Sequence, residues 1–490
     1  MDTAISAAPI EPTGQRGVVS RSNGFSAWRL AAVVAIYVAF VYLVPAPAAV
    51  SAAGWRKTAV FFATIAGLML RPLPGAVVVL LGICTLPFVG DFTMAQALAG
   101  FASPSVWLVV AAMLISRTMR DTGLARRIAL RFVRAFGRTS LGVSYSLLFT
   151  DVVLAGSIPS ITARNAGIVL PIAISIGGLY GSHPGATASR LGTFLITSLY
   201  QGSVVACSMF ITGQASNLLA ANLASKLVGV NVTWSSWFLA GVVPGLASCL
   251  AIPYLVYRML PPQLKKTPAA AEYAHDELVK MGRTSAHERI VLAVMGGVCL
   301  LWATSGWHHL DVTLVALLGV GILVVSQVLP WDRAMAEHHA WDVFIWYGGL
   351  ITLGEMLNET GSTTAFAVWV GSWFGSTPWI IVMPLAIGIY FYTHYAFASI
   401  TAHVLAMFPP FVILLVGLGA PPALVVYSLA CLANLTAGLT HYGTTTGPIL
   451  FSEGYVSFSD WWRVGFVASL VNLTIWLTIG AVWWKVLGFW

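Results

Sequence analysis

Charge is what this chain has least of. Only 9% of its 490 residues are Asp, Glu, Lys or Arg, where a soluble domain carries roughly 25%. So few charges cannot cover a globule in water, which points to lipid as the main solvent. Cysteine is scarce as well: Cys84, Cys207, Cys249, Cys299 and Cys431 fall singly in apolar stretches, with no CxxC spacing. That excludes a disulfide framework or thiolate zinc site and leaves small core hydrophobes. No GxxxxGK[ST] string occurs, so an ATP-driven pump lacks its phosphate loop. Glu337-His338-His339-Ala340-Trp341-Asp342 lacks a recognisable ligand spacing, and no metal is expected there. The excess of 25 Lys+Arg over 17 Asp+Glu implies basic loops on the cytoplasmic side of a membrane rather than a nucleic-acid partner.

What the chain has in abundance is apolar sequence, 58% by residue. Runs long enough to span a bilayer recur from about 28 to the end without strand-like alternation. The reading is an all-α polytopic membrane protein, not a barrel. Counting the runs gives about eleven transmembrane helices. Two further regions, about 140–186 and 377–418, are apolar but broken. The first carries Gly156, Pro159, Gly167, Pro171, Gly177 and Gly178. Interrupted helices or re-entrant hairpins shielded by protein suit that pattern. Residues 1–27 are polar and read as a cytoplasmic tail. The one substantial polar loop, 258–289, carries Arg258, Lys265, Lys266, Lys280, Arg283 and Arg289. It reads as a cytoplasmic linker between halves 28–257 and 290–490. In 117–138, seven arginines alternate with Leu124, Ile128, Phe132 and Val133, as in an amphipathic helix lying on lipid phosphates.

The halves share a series of marks. Asp121-Thr122-Gly123 matches Glu359-Thr360-Gly361, 238 positions later, and Ser160-Ile161-Thr162-Ala163-Arg164 matches Ser399-Ile400-Thr401-Ala402-His403. Pro171 and Pro410 each follow their serine by eleven residues, and Thr212-Gly213 has a rougher counterpart in Tyr442-Gly443-Thr444. The counterpart of the arginine-rich stretch, 359–376, contains no Lys or Arg. With positive loops inside, that contrast places the halves antiparallel, as an inverted repeat around one site.

Ser160, Thr162, Ser399 and Thr401 would offer hydroxyl and backbone N–H donors to an anion at the helix breaks; small hydroxyl residues also simply allow close helix packing. Arg164 could hold a substrate carboxylate in two-point fashion or pair with Asp151. His403 could titrate and couple transport to protons, or sit neutral and hydrogen-bonded. Around Gly213 and Gly443, unwound backbone could coordinate a cation, or the glycines could mark kinks.

The strings Ile158-Pro-Ser-Ile-Thr-Ala-Arg164, Thr212-Gly-Gln-Ala-Ser-Asn217, Phe397-Ala-Ser-Ile-Thr-Ala-His403 and Leu439-Thr-His-Tyr-Gly-Thr444, with the tryptophan-rich end Trp483 to Trp490, resemble the divalent-anion/sodium symporter family. The likeness covers the chain from roughly 28 onward. Within the family it is greatest to the bacterial citrate/succinate-type and plastid 2-oxoglutarate/malate-type carboxylate translocators. The resemblance implies scaffold and transport domains, two re-entrant hairpins, a homodimer and elevator-type movement in a bacterial inner membrane. It assigns substrate contacts to Ser160, Thr162, Ser399 and Thr401, with Asn217 and Thr444 beside them. Ion-site or backbone roles fall to Thr212, Gly213, Gly443 and Thr445. The family's hairpin tips read Ser-Asn-Thr, whereas Ile161 and Ile400 stand here in place of asparagine. Isoleucine offers no side-chain ligand, so sodium coordination is in question. The expectation is a secondary transporter of di- or tricarboxylates working by exchange; a sodium- or proton-coupled symporter of a divalent organic or inorganic anion is the alternative. No enzymatic constellation pairs a nucleophile with a base.

Overall fold

A computed structural model describes residues 26–375 and 377–490; most of the expected N-terminal tail lies outside them. The described residues are helical, and their one β feature is an isolated bridge between Thr139 and Lys266. In the first half the helices are α1 (Ala27–Leu43), α2 (Ala52–Leu70), α3 (Gly75–Val89), α4 (Met94–Leu98), α5 (Pro104–Asp121) and α6 (Leu124–Phe136). They continue as α7 (Ser140–Ala155), α8 (Leu170–Leu179, preceded by a π-helical run Thr162–Val169), α9 (Gly192–Met209), α10 (Ala215–Val228) and α11 (Trp234–Met259). After α12 (Pro268–Met281) come α13 (Ala286–Ala303), α14 (Ser305–His308), α15 (Val312–Val325), α16 (Trp331–Met335), α17 (His338–Glu359) and α18 (Ser362–Gly371). The last are α19 (Trp379–Tyr392), α20 (Ile400–Gly417), α21 (Pro422–Leu435), α22 (Thr446–Ser452), α23 (Phe458–Ile475) and α24 (Ala481–Val486).

By length and composition seven of the described helical runs can cross a membrane, or eight counting one bent pair. The expected eleven spans are therefore not reproduced by that measure. The difference arises because α1, α3 and α15 are short and several spans are broken into pieces.

The packing is inverted relative to a protein in water. Leu318, Ile322 and Val325 of α15 face outward. Every residue of α9 except Thr193 is buried, among them Thr197, Ser198, Gln201 and Ser203. Apolar outside and hydrogen-bonded polar inside is the arrangement hydrocarbon demands.

Two packed groups result. α1, α2, α3, α5, α13, α15 and α17 form one; α7, α9, α10, α11, α20, α21 and α23 form the other. α6 and α18 bridge from one to the next, α6 onto α7 and α18 onto α20. Each bridging helix begins after a glycine in the left-handed region, Gly123 at φ 80° and Gly361 at φ 75°. A side chain there would be strained, which explains why both Thr-Gly pairs end in glycine. Of the seven arginines in 117–138, four are tied down: Arg117 and Arg120 by Glu337, Arg126 by Glu277 and Arg127 by Glu288.

Candidate functional site

Both hydroxyl strings sit where helix stops and restarts. In the first half α7 ends at Ala155, the backbone is non-helical over 158–160, and helix resumes at Ile161. Ser160 Oγ accepts from Ala163 N–H at 3.2 Å, so the serine turns the chain into its next helix. In the second half α19 gives way to a 3₁₀ turn at Thr393–Ala396, and Ser399 Oγ accepts from Ala402 N–H at 3.4 Å. The same cap geometry thus recurs at the matched serines.

Two unwound segments accompany these breaks. α9 and α10 are separated by Phe210–Gln214, and α21 and α22 by 436–445. Gly213 and Gly443 are required by close backbone approach. A Cβ on Gly213 would lie 2.6 Å from Cys207 O, and one on Gly443 would lie 2.7 Å from Ala437 O. Thr212 Oγ1 ties the first segment to the end of α7 through Gly156 O at 2.7 Å. Thr162 Oγ1 reaches across to Thr445 Oγ1 at 2.8 Å and Thr446 Oγ1 at 2.9 Å. Thr444 Oγ1 accepts from Gly447 N–H at 3.0 Å, starting α22.

The breaks and unwound segments border a cavity of about 360 Å³. Ser160, Ile161, Thr162, Gln214, Ser399, Ile400, Thr401, Thr444 and Thr445 line one side. Arg71 and Pro74 of the α2–α3 turn, Met113 of α5, and His339, Asp342 and Trp346 of α17 line the other. Six of the expected residues are therefore brought together: Ser160, Thr162, Ser399, Thr401, Thr444 and Thr445.

Arg164, His403 and Asn217, expected as substrate ligands, are not on the lining. Arg164 is fully buried. Its Nε donates to Asp151 Oδ1 at 2.8 Å, its NH1 to Gly213 O at 2.7 Å and also to Ile158 O, and its NH2 to Cys207 Sγ at 3.1 Å. A guanidinium in a dry interior is held only with such partners, and the Asp151 pairing is the one the structure takes. Cys207 is accordingly a polar partner as well as a core filler. His403 Nε2 lies 2.9 Å from Tyr390 O and 3.2 Å from Thr393 Oγ1. Asn217 Nδ2 donates to Cys207 O and Phe210 O at the end of α9, and its Oδ1 accepts from Asn434 Nδ2 at 2.8 Å. Thr212, Gly213 and Gly443 also stand outside the lining; Thr212 borders a second cavity, of about 470 Å³, between α5, α10 and α15.

Sequence reasoning missed Arg71 and Gln214 as lining residues, and it weighed His339 and Asp342 only as metal ligands. The signal for Arg71 was weak: a basic residue in a Pro-rich turn between short spans. It holds φ 51° at the end of α2 and, among the described residues, has no ion-pair partner. His394, the neighbour of His403 with ring centroids 5.0 Å apart, lies with Nε2 3.0 Å from Gly443 O.

A hydroxyl-lined cavity at paired helix breaks, inside a polytopic bundle, is the build of a secondary membrane transporter. Comparison with known proteins gives the family. The description "Sodium:sulfate symporter transmembrane region" matches residues 25–490, and the chain belongs to that family. It is 40% identical over 451 residues to the putative malate transporter YflS of Bacillus subtilis, covering 92% of this chain and 94% of the relative. It is 39% identical over 453 residues to the chloroplastic dicarboxylate transporter 1 of Arabidopsis thaliana, covering 92% and 81%. The inner membrane protein YbhI of Escherichia coli is 32% identical over 483 residues, with 96% and 99% covered. Among solved structures, MtrF of Neisseria gonorrhoeae shares the fold at a TM-score of 0.54 and 12% identity, covering 93% of this chain and 97% of that one.

Proposed function

We propose that this chain exchanges dicarboxylates of the malate class across a bacterial inner membrane, without a coupling cation. The observation that carries the reading is the placement of Arg164. Coupling cations in broken-helix transporters are held by carbonyls of unwound backbone. Here the carbonyls of Gly213, on the unwound segment, and Ile158, on the hairpin tip, both accept from Arg164. In the second half Gly443 O faces His394 Nε2. Resident side chains thus engage three carbonyls at the breaks, and Ile161 and Ile400 add no ligand, which supports a site without sodium. Without a coupled cation gradient, transport runs on the anion gradients alone, and our reading is that a second dicarboxylate returns through the same cavity.

Ser160 with Thr162 and Ser399 with Thr401 supply the donors for two carboxylates, with Ile161 and Ile400 against the carbon chain between them. Arg164, His403 and Asn217 position the backbone behind that wall. The group holding both tips is the moving transport domain, the group containing α5 and α17 is the scaffold, and α6 and α18 are its arms. The halves form an inverted repeat with a cytoplasmic N-terminus, and the scaffold mediates a homodimer. The names of the Bacillus and Arabidopsis relatives support the substrate class.

Proteoliposomes test the reading directly. Labelled malate should enter vesicles preloaded with malate or succinate and not empty ones, equally in sodium and in choline. Uptake into empty vesicles that follows an imposed sodium gradient would overturn it.

A further inference from the structure

Four cations from three separate segments meet at one corner of the molecule. The bridge between Thr139 and Lys266 joins the α6–α7 turn to the loop after α11. Around it Ser140 N–H donates to Lys265 O at 3.2 Å and Thr267 N–H to Arg138 O at 2.9 Å. The loop before α9 joins the same knot: Leu264 N–H donates to Arg190 O at 3.2 Å and Gln263 N–H to Ser189 O at 3.3 Å. Arg138, Arg190, Lys265 and Lys266 are all exposed. Among the described residues none of them forms an ion pair. Arg131 and Arg134 of α6, also exposed and unpaired, extend the patch, in contrast to Arg126 and Arg127 on the same helix.

We propose that this knot binds the phosphate of an anionic phospholipid headgroup. Main-chain hydrogen bonds hold like charges together here, and no carboxylate among the described residues answers them, which leaves them free for an anion from outside. The knot lies where α7 and α9 begin and α11 ends, and α11 is long and apolar enough to span. That puts the cations at headgroup depth, where each basic side chain gains about 1 kcal/mol from an anionic surface. Phe136, 60% exposed two residues before Arg138, offers an apolar contact that a lipid has and free phosphate lacks. The site holds the α6–α7 corner, where the bridging arm enters the first hairpin, against the membrane surface.

The test uses the full-length purified protein in neutral detergent, with phosphatidylglycerol, phosphatidylcholine or inorganic phosphate added. Phosphatidylglycerol should raise the melting temperature and stay bound in native mass spectrometry; the other two should do neither. Arg138→Gln with Lys265→Gln and Lys266→Gln should weaken phosphatidylglycerol retention on the order of a hundredfold, about fivefold per cation. The knot's hydrogen bonds are main-chain bonds at these positions, so the triple variant should melt like the parent without lipid. If it does not, single Lys265→Gln and Lys266→Gln variants, read by retention alone, carry the test. Equal effects of the two lipids, the same shift with inorganic phosphate, or unchanged retention in the variants would each overturn the proposal.

Discussion

Replacing Arg164 by alanine perturbs the site at its most committed point. The substitution strips Asp151 of its partner and leaves Gly213 O, Ile158 O and Cys207 Sγ without the donor they share. Arg164 and Asp151 are 0% and 1% exposed as side chains, so water does not screen the loss. Removing one member of a buried ion pair costs about 3–5 kcal/mol, and the orphaned carbonyls add to that. Arg164→Ala should therefore melt several degrees or more below the parent. The double variant Asp151→Asn, Arg164→Ala should recover part of the loss, because the lone buried carboxylate is gone. The vacated space keeps a carboxylate and two carbonyls, the donor set of a small cation. Sodium should consequently stabilise Arg164→Ala over choline while leaving the parent unmoved. Melting curves of purified protein in sodium or choline chloride read both effects. Sodium stabilisation of the parent, or an Arg164→Ala curve superimposable on it, would refute the reasoning.

Three other outcomes follow from the cavity. Ser160→Ala or Ser399→Ala removes a hydroxyl from its lining; a hydrogen bond to a charged group is worth about 1.5–3 kcal/mol, so malate KM should rise roughly tenfold or more, while the lost cap, worth about 1 kcal/mol, lowers the melting temperature slightly. Arg71→Gln removes the unpaired guanidinium on the facing wall and should raise KM severalfold at low salt, the difference shrinking at high salt as screening takes over; initial uptake rates at two ionic strengths measure it. Gly443→Ala puts a methyl 2.7 Å from Ala437 O and 3.1 Å from His394 Nε2; transport should be lost with weakened expression or stability, whereas Gly297→Ala, with open space at its Cβ, should leave both unchanged in the same uptake and melting assays.

Much of the architecture was written locally and could be read that way. Scarce charge and unbroken apolar runs specify helices in lipid, since hydrocarbon leaves backbone groups no partner except one another. The Gly- and Pro-broken stretches 140–186 and 377–418 announce interrupted helices, and the paired serine strings with Gly213 and Gly443 announce where the breaks fall. Each is a property of neighbouring residues. What lay beyond reach was which groups face one another across hundreds of positions. Arg164 had two chemically sensible partners, a substrate carboxylate or Asp151, and the sequence holds both. Burial decides between them: with no water to solvate a guanidinium, the nearest carboxylate and the carbonyls freed by the helix breaks claim it. Arg71 became a wall of the cavity, and Asn434 the partner of Asn217, only through the packing of distant helices. The Ser-Ile-Thr-Ala strings by themselves determined where the helices break. The tertiary structure decided that their hydroxyls face the cavity while their cationic and imidazole neighbours stand behind it, because a charge in a dry interior must be answered by the groups packed around it.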